Sequence, residues 1–149
     1  MRAVVQRVSR ASVKVNGTVI SEIDNGLLVY LGVMQEDDND DLLYMERKIS
    51  ALRIFDDTEG RMNLSVMDKK YSILLVSQFT ICGNVKRGNR PSFDPAAEPD
   101  AANEMYEELA EMFRRRGILT ETGKFQAHMK VESLNDGPVT VLIDSRKIF

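Results

Sequence analysis

Two short stretches of this chain gather side chains capable of chemistry. The first is Ser77-Gln78-Phe79-Thr80-Ile81-Cys82-Gly83, which places two hydroxyls, an amide and a thiol within six residues. It follows the apolar run Ile73-Leu74-Leu75-Val76, which reads as a strand. Strand ends are where a rigid scaffold presents reactive groups. A backbone N–H at such a corner can stabilise an oxyanion. The same residues also suit an ordinary strand end, where Ser and Thr satisfy local backbone groups. No partner base stands nearby in sequence, so the residues alone leave these two readings level. The second stretch is Asn135-Asp136-Gly137-Pro138-Val139-Thr140. Gly-Pro signals a turn, and the missing proline N–H keeps a strand from starting before Pro138. An X–Pro bond can be cis, which would set two carbonyls side by side, although a trans turn is the commoner case.

Composition removes much of the alternative chemistry. The 149 residues contain one cysteine, Cys82, and one histidine, His128. No internal disulfide, cysteine metal cage or two-histidine metal site can form, and no metal or cofactor is expected. A Cys82–His128 dyad lacks an identifiable third group to orient it. The 20 basic and 23 acidic residues give a formal net charge of −3, not the overall signature of a nucleic-acid binder. The charge is uneven. Arg2, Arg7, Arg10 and Lys14 have no acid among residues 1–20, and Lys86, Arg87 and Arg90 cluster after the first motif. Asp94 to Glu111 carries seven acids and no base. No apolar run reaches a membrane-spanning length, and the N-terminus is unlike a signal peptide. With a single thiol, these features point to the cytoplasm.

The elements that must position the two motifs are legible from periodicity. Arg2–Val8 and Val13–Val15 read as strands, and Asn16-Gly17 before Thr18-Val19-Ile20 is a strong hairpin signal. Leu27–Val33 and Tyr71–Gln78 read as central strands, the former buried on both faces. The acidic residues Glu36–Asp41 suit a solvated loop that caps a helix over Asp40–Leu52. Arg53-Ile54-Phe55 suggests a short strand. Pro99–Arg116 is the clearest helix, with a core stripe through Ala102, Met105, Tyr106, Leu109, Met112 and Phe113, and Gly117 at its end. Arg114-Arg115-Arg116 is read as compensation of the helix dipole. Ala127–Glu132 and Val139–Ile143 read as strands separated by a turn. The expected architecture is one α+β domain over residues 1–149: a mostly antiparallel, barrel-like sheet with two main helices packed on it.

The two motifs together, in this order, resemble the D-aminoacyl-tRNA deacylases, a family with SQFT-x-x-G and N-x-GPVT motifs. The likeness spans the chain, through Met1–Val13, Arg53-Ile54-Phe55, Arg90-Pro91-Ser92-Phe93 and Thr122-Gly123-x-Phe125. Ile81, Gln126 and Ser133 depart from the family's commoner residues, and none is a polar position of either motif. The resemblance implies hydrolysis of the ester joining a D-amino acid to the terminal ribose of a tRNA. It places Ser77, Gln78, Phe79 and Thr80 at the catalytic site, with the Phe79 N–H facing the ester carbonyl. Thr80 is either a nucleophile or a bystander to water assisted by the ribose 2′-hydroxyl. Gly137 and Pro138 would reach across a homodimer interface into the partner's pocket, where their carbonyls hold the substrate ammonium and reject L side chains. Glycyl-tRNA would then be cleaved as well. Gly83, Asn135, Val139 and Thr140 would support the motifs, and Lys86, Arg87, Arg90 and Arg7 would contact the tRNA. The rival reading is a nucleic-acid-binding module without catalysis on the same fold.

Overall fold

The computed structural model describes residues 1–86 and 88–148. The chain runs β1 (Arg2–Val15), β2 (Thr18–Ile23), β3 (Gly26–Gly32), α1 (Asn39–Ser50), β4 (Phe55–Asp56), β5 (Met62–Leu64), α2 (Val66–Lys69), β6 (Ser72–Ser77), a 3₁₀ turn (Phe79–Cys82), α3 (Pro99–Arg115), β7 (Thr120–Thr122) and β8 (Met129–Asp144).

Alternation along the apolar strands creates two cores, one on each face of the sheet. Leu27, Val29 and Leu31 of β3 and Ile73 and Leu75 of β6 face a core shared with Met45 and Ile49 of α1 and Leu109 and Phe113 of α3. Leu28, Leu74 and Val76 face the other way, against Val8, Ala11 and Val13 of β1 and Ile23 of β2. The run 27–33 is apolar throughout because it is covered on both sides. β1 closes the second core by belonging to two layers. Its first half lies between β3 and the end of β8, and its second half lies between β2 and the start of β8. The result is an almost closed, barrel-like sheet in the order β2-β1-β3-β6-β7, with β8 on β1.

The sheet is mixed rather than mostly antiparallel. β1 pairs antiparallel with β2, β3 and β8, but β6 runs parallel to both β3 and β7. The connections carrying α1 and α3 return the chain to the same end of the sheet, which parallel pairing requires. Asn16 and Gly17 both have positive φ, as a tight hairpin needs. Asp38 caps α1 by accepting from the N–H groups of Asp40 and Asp41, so the acidic cluster does cap a helix. Each arginine of the triplet is engaged: Arg114 with the Thr120 carbonyl, Arg115 with Glu108, Arg116 with Glu46.

Two expectations change. Arg2–Val8 and Val13–Val15 are one 14-residue strand. The turn expected at 135–138 instead lies inside the 16-residue β8. The ladder passes from Gln6↔Thr140 to Val8↔Asn135, so residues 136–139 are extruded without ending the strand. Proline cannot donate to the ladder, and the long partner β1 carries the pairing past the interruption. β5, α2 and β7 are three or four residues each, too short to carry a periodic signal. The short strand near Phe55 is Phe55–Asp56.

Candidate active site

The first motif turns at the end of β6. Gln78 N–H continues the ladder by donating to the Leu31 carbonyl at 2.7 Å. The chain then coils into the 3₁₀ turn, packed against the end of β3. Gly32 makes this packing possible: a Cβ there would lie 2.7 Å from both Cys82 Sγ and Ile81 Cγ1. Gly83 is equally hemmed in, since a Cβ would lie 2.9 Å from the Phe93 ring and from the Thr80 carbonyl. Phe79 and Phe93 stack edge to face at 5.1 Å, with Phe79 left 57% exposed. Phe79 and Thr80 open the turn, so their N–H groups have no helical acceptor. Among the described residues, neither donates to another backbone carbonyl.

Ser77, Gln78 and Phe79 form one wall of a cavity of about 720 Å³. Ala97, Pro99, Ala102 and Tyr106 supply a second wall, and residues 125–129 with Val131 supply the third. Tyr106 was expected only as core. It is buried, yet its ring also faces the cavity and its hydroxyl donates to the Leu75 carbonyl at 2.8 Å. Burial pushes its phenol up to about 12. Gly123 N–H donates to the same carbonyl, which anchors the segment leading to Phe125. The sequence points to no chemical role for Phe125 or Met129, and to His128 only as a dyad partner for Cys82. The alternation Ala127-Met129-Val131 marked an inward face, but sequence could not say that it faced a cavity.

Thr80 Oγ1 accepts from Gln78 Nε2, and no ionisable base is among its hydrogen-bond partners in the described residues. Cys82 is buried, and its thiol donates to the Val33 carbonyl. Burial pushes that thiol up, away from reactivity. His128 is exposed on the wall of the cavity, which Cys82 does not line. Among the described residues, no group of three or more His, Cys, Asp or Glu side chains is arranged to hold a metal.

The second motif is braced from below and behind. Asn135 Oδ1 accepts from Val139 N–H at 3.2 Å, and its Nδ2 donates to Thr140 Oγ1 at 3.0 Å. Gln6 Nε2 also donates to Thr140 Oγ1. Arg7 was expected to meet tRNA, but it is 9% exposed and committed within the fold. Its Nε donates to the Asp136 carbonyl at 3.0 Å and its Nη1 to the Ile54 carbonyl at 2.9 Å. Buried guanidinium groups need such partners, and these two bonds tie Arg7 into the fold beside the second motif. Gly137 and Pro138 are exposed at the tip, joined by a cis peptide bond, with Gly137 at φ +129°. Lys86 and Arg90 are exposed, and Arg87 lies outside the described residues.

The cavity beside the first motif is not lined by Gly137 or Pro138 of the same chain. Arg7, beside Gly137, is opposite Leu27, and Leu27 is opposite Ile73. Ser77 lies four residues farther along β6. That is about 13 Å along the strands, plus three inter-strand spacings of about 4.8 Å.

A profile of the D-Tyr-tRNA(Tyr) deacylase family matches residues 4–144. The chain belongs to this family. Curated relatives named D-aminoacyl-tRNA deacylase include those of Fervidobacterium nodosum, 52% identical, and Koribacter versatilis, 54% identical, both over 149 residues and all of each chain. Among solved structures, a c-Myc DNA unwinding element binding protein superposes with a TM-score of 0.92 and 47% identity, covering 97% of this chain and 98% of the other. A probable eukaryotic D-amino acid tRNA deacylase shares the fold, with a TM-score of 0.80 and 18% identity over 95% and 97% of the chains. The match with the family extends through both motifs and the braces that hold them. No helix among the described residues is long and apolar enough to cross a membrane.

Proposed function

We propose that this protein is a D-aminoacyl-tRNA deacylase, one domain across residues 1–149, working in the cytoplasm without a cofactor. The observation that carries this reading is the Phe79 N–H, free of backbone partners at the cavity wall in a chain of this family. The cavity receives the terminal aminoacyl-adenosine. The Phe79 N–H faces the ester oxygen and stabilises the tetrahedral oxyanion. Ser77, Gln78 and Thr80 shape the surrounding wall. A water attacks the carbonyl carbon, the bond to the ribose oxygen breaks, and the amino acid and tRNA leave. The neighbouring ribose hydroxyl and the substrate ammonium already activate the ester, so positioning and one oxyanion donor suffice. Thr80 acts as a neighbour rather than a nucleophile, because no base is bonded to its hydroxyl.

The active unit is a homodimer. The separation of the motifs within one chain supports a site completed by the partner's Gly137-Pro138. Among the described residues β8 pairs with β1 alone, and Leu134 and Leu142 on it are exposed. Such an edge favours pairing with a second copy. With the ammonium held by the partner's motif, an L side chain collides with it and a D side chain points away. Glycine has nothing to reject and is cleaved. Lys86, Arg87 and Arg90 contribute to tRNA contact, with local positive charge in an acidic protein.

The solved relative at 47% identity, named a c-Myc DNA unwinding element binding protein, favours the binding-module reading as the second one. One assay separates the two. D-tyrosyl-tRNA, L-tyrosyl-tRNA and glycyl-tRNA are incubated with the protein and ester hydrolysis is followed. Rapid loss of the D-tyrosyl and glycyl esters, with the L ester spared, is expected. Cleavage of none, with retained DNA or RNA binding, would establish the module instead.

A further inference from the structure

The cavity has a charged threshold outside both motifs. Along the start of β8, Met129 and Val131 turn inward against the second core, while His128, Lys130 and Glu132 are exposed. His128 is itself part of the cavity wall. Lys130 stands directly opposite Lys14 in the β1–β8 ladder. Glu132 pairs with Lys14 at 2.8 Å, but among the described residues no carboxylate oxygen lies within 4.0 Å of Lys130 Nζ. Like charges facing each other across an antiparallel pair disfavour the sheet. The fold therefore retains a ridge of two facing lysines, one of them paired with Glu132, two residues from the cavity-lining His128. The wall at the start of α3 has the opposite character. Ala96, Ala97 and Pro99 line it, among Asp94, Glu98 and Asp100. A polyanion leaving the cavity is repelled on that side and attracted on the lysine side.

We propose that the Lys14–Lys130 ridge, with His128 at its cavity end, binds the phosphodiester backbone of the single-stranded 3′ end of the substrate tRNA. This rests on the deacylase reading and adds where the rest of the nucleic acid runs. Phosphate contacts of this kind position the polymer without reading its sequence.

The test compares a substrate with phosphates and one without. D-tyrosyl-tRNA and D-tyrosyl-adenosine, which has no phosphate, are assayed with the full chain and with Lys130→Glu, Lys130→Gln and Lys130→Arg. Lys48→Glu, on the exposed side of α1, controls for net charge. Lys130→Glu is expected to raise KM for D-tyrosyl-tRNA about fivefold to twentyfold, with kcat within about twofold. Lys130→Gln is expected to reduce the salt slope of tRNA binding by about one. Lys130→Arg keeps the low KM. D-tyrosyl-adenosine kinetics stay the same in all variants. Because Lys130→Glu removes the unfavourable lysine pair, its Tm is not lowered. An unchanged KM for D-tyrosyl-tRNA overturns the proposal. So does an equal loss on D-tyrosyl-adenosine, which would mark a structural role, or an equal effect from Lys48→Glu. If the unaltered chain cleaves neither substrate, the deacylase reading fails and the ridge proposal fails with it.

Discussion

Among single residues, the proposed mechanism assigns the decisive role to a backbone N–H, that of Phe79, and not to a side chain. Phe79 and Thr80 allow the two possibilities to be separated. Proline is tolerated at the first position of a helical turn, where its absent N–H was unbonded anyway. Gln78 precedes it with φ −147° and ψ 78°, outside the α region that a following proline disfavours. Phe79→Pro therefore deletes the proposed oxyanion donor while suiting the backbone of the turn. Its kcat for D-tyrosyl-tRNA is expected to fall by about 10² to 10³, the usual loss for one such donor. Thr80→Val, assayed on the same substrate, keeps kcat within about tenfold of the unaltered protein. If Thr80→Val abolishes turnover while Phe79→Pro retains it, the roles are reversed. The thiol of Cys82, conspicuous in the sequence, is explained by packing beneath Gly32.

At the scale of elements, Tyr106 links helix, strand and cavity wall. Its hydroxyl reaches from α3 to the Leu75 carbonyl of β6, and Gly123 donates to the same oxygen. An ordinary phenol titrates near pH 10, whereas burial holds this one neutral up to about 12. The group is thus stabilising in its protonated form. That stability is present below pH 10 and is lost as pH rises from about 10 to about 12, on the order of 2–3 kcal/mol. In urea unfolding at pH 8, Tyr106→Phe is expected to cost about 1 kcal/mol, the net worth of the lost hydrogen bond. The gap between the two proteins should narrow as pH is raised from 9 to 11. A constant gap would show that the hydroxyl is not held neutral. The alternating helix stripe identified Tyr106 as core. Its second duty depends on β6 and the 123–125 segment, which lie elsewhere in sequence.

At the scale of the whole molecule, the separation of the two motifs governs the expected behaviour. Gly137 cannot accept a side chain: its φ is +129°, and a Cβ would lie 2.7 Å from Val139 Cγ2 and 3.1 Å from an Arg7 nitrogen. Gly137→Val therefore displaces the extruded segment while leaving the same chain's cavity intact. In the proposed dimer, Phe79→Pro and Gly137→Val homodimers are each inactive. Random reassortment makes half the dimers mixed, and each mixed dimer has one intact site of two. Specific activity of the mixture is expected to recover to about a quarter of the unaltered level. Activity that stays at the level of the separate variants would place the whole site within one chain.

The periodic features are legible in the linear chain. Leu27–Val33 and Ile73–Val76 are apolar throughout because both faces are covered, Asn16-Gly17 can hold two positive φ angles, and α3 carries a continuous stripe. These properties depend on neighbours within a few residues, so a linear reading recovers them. It also identified both motifs. Three matters were decided by tertiary structure. Parallel pairing of β6 depends on where the helical connections return the chain. The turn at Gly137-Pro138 became a protrusion because β1 continues the ladder on either side of it. Arg7 looked like a surface cation and is instead a buried brace, since its carbonyl partners come from Ile54 and Asp136. In each case the deciding contact joins residues far apart in the chain, and only folding sets their distance.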